Sequence, residues 1–312
     1  MATLKESNFV SVVVYLRNSA RRIERFLREI NNIFDGNFSK YEVIFVDDSS
    51  ADNGVEIIKS IAEDIEGPMI SVLHMSYYQG IEQSMNAGVD LAIGDFVFEF
   101  DSTMLDFDPN LIIDVYRHSL TGYDVVSASP KGRIRGTSKL FYFVYNKFSK
   151  TAYPLKTESF KVLSRRAINR VQAMSSSIPY RKALYANSGL KQDTIYYTPM
   201  HDMESLEQNE VQMRKDVALD SIVLFTDVAY KATLGMSVAM MLITIFMAIY
   251  ACAVFIGGKP VAGWTTTMLF LSVSFFGVFT ILAIIIKYLT VLINLIFQRQ
   301  NYVVESLEKI TR

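Results

Sequence analysis

The chain has 312 residues, half of them hydrophobic, and a formal net charge of −1. That length fits one sizeable domain with an added module, and the near-neutral charge excludes a general nucleic-acid binder, which carries a basic excess. A single cysteine, Cys252, excludes a disulfide framework and a thiolate metal cluster, and three scattered histidines, His74, His118 and His201, argue against zinc chemistry.

Residues 1–8 are polar and mixed in charge, with no basic stretch running into an apolar one, so no secretory signal is expected and residues up to about 230 are expected in the cytoplasm. Strand and helix patterns then alternate. Residues 9–16 (FVSVVVYL) are β-rich, and residues 19–34 carry a helical stripe at Ile23, Phe26, Leu27, Ile30, Ile33 and Phe34. A strand is expected at 41–46, a helix at 55–65, a strand at 70–75 and a helix at 79–93. A strand at 96–100, a helix at 110–120 and a strand at 124–128 follow. Repeated strand–helix units predict an α/β fold with a mostly parallel sheet flanked by helices, whose ligands bind beyond the carboxyl ends of the strands.

After residue 129 the chain turns basic and aromatic, with Lys131, Arg133, Arg135 and Lys139 before LFYFVYNKF. Residues 159–163 read as a strand and a helix begins at Arg165, whereas 192–215 are polar and acidic without periodicity and read as a loop. Asp216, Asp220, Asp227 and Lys231 share one helical face and Ala218, Ile222, Phe225 and Ala229 another. Residues 214–231 are thus an amphipathic helix, lying either at a membrane surface or on the preceding domain.

Two uncharged runs follow, 25 residues at 232–256 and 23 at 264–286, each longer than the about 20 residues that cross a bilayer as a helix. The seven residues between them carry only Lys259, which predicts a transmembrane hairpin. Arg214, Lys215 and Lys231 before the hairpin, and Lys287, Arg299, Lys309 and Arg312 after it, place both ends on the cytoplasmic side. The expected organisation is a domain at 1–213, the amphipathic helix at 214–231, the hairpin at 232–298 and a cytoplasmic tail at 299–312. Helices of both kinds offer surfaces for self-association into a homo-oligomer.

Chemistry is expected at strand ends. The second strand runs into Asp47 and Asp48 before a turn-forming SSADNG, and the fourth runs into Asp101. Such carboxylates accept hydrogen bonds from a base or ribose, hold a divalent metal on a diphosphate, or simply cap a turn. Alternation puts Val97, Glu99 and Asp101 on one face of the fourth strand, so Glu99 lies in an apolar setting and requires a partner. Lys131, Arg133 and Arg135 suit phosphate oxygens, with a solvated basic loop as the plain alternative.

SVVVYLRN, YEVIFVDDSSADNG, QGIEQSMNAGVDLAIGDFVFEFD and SFKVLSRRAINRV, with KPVAGWTTTM and KYLTVLINLIFQRQNYVVE, resemble segments of the inverting family 2 glycosyltransferases with a GT-A fold. Within them the similarity is to the polyprenyl-phosphate group, which includes dolichol-phosphate mannose synthases and bacterial undecaprenyl-phosphate glucosyltransferases. The resemblance implies transfer of one sugar, with inversion, from a UDP- or GDP-linked donor to undecaprenyl or dolichyl phosphate at the cytoplasmic face of a membrane, in cell-envelope glycan synthesis. It implies that Asp47 and Asp48 bind the base and ribose and that Asp101 opens a DxD motif for Mg²⁺ or Mn²⁺. Asp106 would be the second metal ligand, with Asp108 close by, because Thr103 stands at the second carboxylate of that motif. Lys131, Arg133 and Arg135 would hold phosphates, and Asp101, Arg133 and Glu158 would form the catalytic set. Glu158 adjoins Ser159, which stands where the group often carries an aspartate near the acceptor. The first strand lacks the group's proline and glutamate, reading Tyr15, Leu16, Arg17, Asn18, Ser19, and acidic HDMESLEQNE replaces its basic loop before the membrane. These departures leave open a catalytically degenerate relative acting as a membrane scaffold for an active enzyme.

Overall fold

The computed structural model describes residues 5–65, 67–132, 136–149, 153–174, 180–200, 263–297 and 302–311, with scattered positions from 231 to 246. Two compact units divide the chain: Met1–Asn146 with Thr151–Ala218 and Arg299–Arg312, and Lys147–Lys150 with Leu219–Gln298.

The first unit contains β1 (Val10–Leu16), α1 (Ala20–Asn37), β2 (Tyr41–Asp47), α2 (Gly54–Ala62), β3 (Met69–Met75), α3 (Ile81–Leu91) and β4 (Phe96–Phe100). It continues with α4 (Leu111–Ser119), β5 (Val125–Pro130), α5 (Gly136–Phe148, whose last two residues fall in the second unit), β6 (Phe160–Ser164), α6 (Arg165–Met174), α7 (Arg181–Asn187) and β7 (Gln192–Tyr197). After helix α8 (Trp264–Phe297), which belongs to the second unit, the chain supplies β8 (Val304–Lys309).

The sheet has eight strands in the order β7-β5-β6-β4-β1-β2-β3-β8. β1 pairs in parallel with β2 and β4, β2 with β3, and β5 with β7. β6 runs antiparallel between β4 and β5, and β8 antiparallel on β3. The sheet is therefore mixed, its parallel half being β4-β1-β2-β3. Every residue of β1 and β2 is buried, as expected of apolar, β-branched strands covered on both faces. The predicted α1 stripe is the buried face of that helix, with Ile23, Phe26, Leu27, Ile30 and Phe34 inside and Ile33 packed at the margin. Rings of the helices meet rings of the sheet edge to face, as in Phe26 on Phe100 and Phe34 on Phe98.

Chain order reverses between β1 and β4, with β2 and β3 added on one side of β1 and β4 on the other. The carboxyl ends of β1 and β4 thus form the switch point where open α/β sheets bind ligands. Gly88 in α3 lets this helix lie close over β1 and β2: a Cβ there would stand 2.5 Å from Val13 Cγ1 and 2.6 Å from Val46 Cγ2.

Two segments differ from the sequence expectation. Residues 192–197, read as the start of a loop, form edge strand β7 because their backbone pairs with β5 although no side-chain alternation advertises it. Residues 304–309, read as part of a tail, add a strand to β3. The expected helix at 214–231, except Lys231, and the hairpin loop, except Gly263, lie outside the described residues, as does most of the first span. Of α8 the backbone and part of the side chains are described; among the described residues no helix is long and apolar enough to cross a membrane.

Gly88→Val should overpack the α3–sheet contact and cost about 1–3 kcal/mol. Gly36→Ala, on an open face of α1 with nothing near the added methyl, should stabilise by about 0.5–1 kcal/mol. Thermal unfolding of the two variants measures both.

Candidate active site

Three loops meet at the carboxyl ends of β1, β2 and β3, and Asp48 ties them together. It is fully buried. Its Oδ1 accepts the Gln79 N–H (2.8 Å), and its Oδ2 accepts the Gly80 N–H (2.8 Å) and the Tyr15 hydroxyl (2.9 Å). Gly80 donates from φ +86°, a left-handed conformation that glycine adopts without strain. Asn18 (φ 46°) and Ser49 (φ 56°) lie in the same region without that freedom, at the ends of β1 and β2. The surroundings hold both. Asn18 Oδ1 accepts the Ala51 N–H, and Arg17 donates to the carbonyls of Asp48 and Ser49 while its guanidinium lies 4.0 Å from the Tyr78 ring centre.

Asp48 is thus an organiser of the loops, with no exposed surface, where the sequence expectation has it binding the base and ribose. Asp47 is the more accessible of the pair. It accepts the Ser50 N–H at 3.0 Å and faces His74 Nδ1 at 3.2 Å.

A second cluster lies at the end of β4. Glu99, wholly buried, finds its partner in Arg181 of α7, whose Nη1 stands 2.6 Å away, and accepts the Tyr185 hydroxyl at 3.0 Å. Arg181 is itself 2% exposed and also reaches Glu82 at 3.2 Å and Asp101 at 3.0 Å. Its neighbour Lys182 faces Asp101 at 3.9 Å and Glu158 at 3.7 Å, and Lys161 faces Glu158 at 3.2 Å and Glu99 at 3.6 Å. Burial alone would raise the Asp101 carboxyl, but Arg181, Lys182 and Lys161 hold it well below the usual carboxylate range. Glu158 is likewise pushed up by burial and brought below its ordinary value by Lys161 and Lys182. Both are carboxylates at neutral pH.

The remaining expected residues are dispersed. Asp106 accepts the Tyr197 hydroxyl at 2.7 Å, and that hydroxyl also meets Ser159 Oγ at 2.5 Å. Asp108 accepts the Asn110 N–H at 2.9 Å just before α4, so it shapes a turn. Lys131 is exposed at the end of β5; Arg133 and Arg135 lie outside the described residues. Thr103 is buried, and its hydroxyl has no hydrogen-bond partner among the described residues.

These residues do not fit a divalent metal. Mg²⁺ and Mn²⁺ take several oxygen ligands, usually with more than one carboxylate. Here Asp101 is held by two fixed cations, Thr103 contributes no charge, Asp106 belongs to the Tyr197 pair, and no group of three metal-binding side chains occurs among the described residues. In this structure the expected metal residues Asp101 and Asp106 are each engaged by another side chain, Arg181 and Tyr197.

A cavity of about 200 Å³ opens beside this cluster, lined by Leu155, Glu158, Lys161, Lys182 and Tyr185 among others. It is smaller than the about 300–1,000 Å³ of a typical ligand pocket, so it does not enclose a whole nucleotide sugar.

The model of glycosyl transferase family 2 matches residues 11–171, which carry β1 through β6 and both acidic strand ends. The chain belongs to this family. Among its relatives is the uncharacterized glycosyltransferase YkcC of Bacillus subtilis (strain 168), 23% identical over 222 residues, 69% of this chain and 68% of the relative. The bactoprenol glucosyl transferase of Shigella phage SfV is 24% identical over 227 residues, 70% of this chain and 72% of the relative. The prophage bactoprenol glucosyl transferase homolog of Escherichia coli (strain K12) is 26% identical over 198 residues, 60% and 62% of the two chains. The mannosyltransferase PcManGT from Pyrobaculum calidifontis, solved in complex with GDP-Man and Mn²⁺, superposes with a TM-score of 0.52 at 15% identity, covering 91% of this chain and 88% of that one. The fold is GT-A-like, and the protein is a family 2 glycosyltransferase.

Sequence reasoning missed Arg181, Lys182, Gln79 and Tyr197. Only the demand of Glu99 for a partner pointed toward Arg181, without saying which cation would supply it. Arg181→Met should cost about 3–5 kcal/mol by leaving Glu99 charged and buried, with part of the loss recovered by adding Glu99→Gln. Asp101 and Glu158 have folded pKa values below their unfolded ones. Their stabilisation is therefore complete above about pH 4–5 and disappears as pH falls through the lower folded values. Asp101→Asn with Glu158→Gln should flatten the acid limb of a Tm-versus-pH curve.

Proposed function

We propose that this glycosyltransferase moves one sugar from a nucleotide-sugar donor to a polyprenyl phosphate at a membrane surface, with inversion at the anomeric carbon. The observation that carries the proposal is the similarity to the bactoprenol glucosyl transferase of phage SfV over 70% of this chain. The apolar segments support it. The run 264–286 has no charge, and Phe275, Phe276, Val278, Leu282, Ile285, Leu289 and Leu292 of α8 are exposed, as suits a lipid-facing helix. Within the same unit Gly277 leaves no room for a Cβ beside Met240, the kind of close approach small residues permit between membrane helices.

In this reading a phosphate oxygen of the lipid attacks the anomeric carbon while its bond to the diphosphate oxygen breaks, and the electron pair leaves with the nucleoside diphosphate. The attacking oxygen is already anionic, so no strong base is needed, and Glu158 serves to hold Lys161 and Lys182. Asp47 accepts from the nucleoside part of the donor. Lys131 and the partly exposed Lys182 face phosphate charge, and Arg133 and Arg135 add to them. Positioning and charge stabilisation supply the acceleration.

A second reading, a scaffold without activity, draws on the closed ion pairs around Asp101. Membranes containing the full chain would be supplied with labelled UDP-glucose or GDP-mannose and with undecaprenyl or dolichyl phosphate, with Mn²⁺ and with EDTA. The expected result is a lipid-extractable sugar phosphate with inverted anomeric configuration. A folded, nucleotide-binding protein that yields none from any pair would favour the scaffold. For topology, Lys259→Cys in a Cys252→Ala background should react with an impermeant maleimide added from outside intact cells; labelling only after lysis would overturn the hairpin.

A further inference from the structure

β8 is held on β3 largely by polar clips. Five of its six residues are exposed, so it buries little apolar surface. One end is fastened by Val303: its carbonyl accepts the Ser76 N–H (3.1 Å) and the Gln79 side-chain amide (2.7 Å), and its N–H donates to Gln79 Oε1 (2.8 Å). Tyr302 adds a hydroxyl bond to Asp90 of α3 at 2.8 Å. The other end is fastened by Thr311, whose hydroxyl donates to the Pro68 carbonyl and accepts the Ile70 N–H, both at 2.6 Å.

The Val303 end reaches the site. Gln79, clipped to Val303 by its side chain, donates its own N–H to Asp48, and Gly80 does the same. The loop 76–80 is thereby stretched between the C-terminal strand and the acid that organises the loop cluster. Farther along the strand, Glu308 stands 2.9 Å from Lys59 and 3.5 Å from His74 Nε2, and the other nitrogen of that imidazole faces Asp47. Asp47 is therefore flanked by a side chain whose far edge is set by β8. Both acids of the β2 end, Asp48 with no exposed surface and Asp47 with a little, are connected to β8 and the residue before it, more than 220 residues away in sequence.

We propose that residues 302–308 are part of the donor site: Val303 and Glu308 act as positioning residues that set the loop 76–80 and Asp47 for the nucleoside of the donor. The inference rests on the proposed function for its ligand class, a nucleoside diphosphate, and adds to it a segment that lies outside the family match at 11–171. An edge strand with little apolar burial sits at the low-stability end of a domain, so its local clips decide whether it is seated.

The test uses the full chain in detergent or nanodiscs, with UDP and GDP as probes in calorimetry. Hydrogen exchange would be read over 68–80 and 302–311. Val303→Pro removes the N–H that bonds Gln79, Glu308→Gln removes the charge facing His74, and Thr311→Val loosens only the far end. Val303→Pro should raise the Kd for the bound nucleotide about tenfold and raise the donor KM, with kcat and acceptor KM unchanged. Glu308→Gln should act in the same direction to a smaller extent. Thr311→Val should speed exchange at 68–71 and leave nucleotide affinity at the parental value. Unchanged affinity in Val303→Pro, in a protein whose exchange shows residues 302–306 released, overturns the inference, as does an equal loss in Thr311→Val, which would make β8 merely structural. A parent chain that binds neither UDP nor GDP overturns the donor assignment itself, and this inference with it.

Discussion

Burying a carboxylate inside a sheet is tolerable only if a cation is buried with it. Glu99 imposes that condition at the middle of β4, and Arg181 meets it. Because one guanidinium presents five donors in a fixed fork, the same side chain also reaches Glu82 on α3 and Asp101 at the mouth of the site. A helix following β6, the strand at the switch point and the helix preceding that strand are thereby fixed to one another. Lys182 is placed beside Asp101 and Glu158 by the same helix, so the charges facing the cavity inherit their positions from the Glu99–Arg181 pair.

Asp48 does comparable work with neutral donors. Two backbone N–H groups and a tyrosine hydroxyl converge on it, and the left-handed residues Asn18 and Ser49 are accommodated around it. Asn18 and Ser49, after β1 and β2, are the positive-φ residues other than glycine among those described, and such strain is common where a site must be held in shape.

The β/α half of the fold was legible because its code is local. Apolar runs made β1 and β2, and a 3.6-residue stripe made α1 with the correct buried face. The place of the candidate site could be read as well, since acids at the ends of parallel strands are visible in order along the chain. What local pattern could not give was pairing. β7 and β8 lack alternation because they are edge strands, β8 mostly exposed and β7 only partly covered. The need of Glu99 for a partner could be read from its neighbours, but the partner lies 82 residues on. The loop contacts of Asp48 were hidden for a related reason: a carboxylate that binds a ligand and one that binds backbone amides look alike until the loop carrying those amides is placed.

Chain order gives β8 one further consequence, in the timing of assembly. β3 and its eventual partner are separated by the apolar runs at 232–256 and 264–286, and the register Ser71↔Lys309 joins the segments on either side of them. During synthesis the β3 edge must wait, unpaired, until residues 304–309 have left the ribosome. The nucleus of the sheet forms from β1, β2 and β4 long before then, since its contacts are closer in sequence. The domain therefore matures in two stages, a core that is ready early and an edge that closes only after both apolar runs have been made.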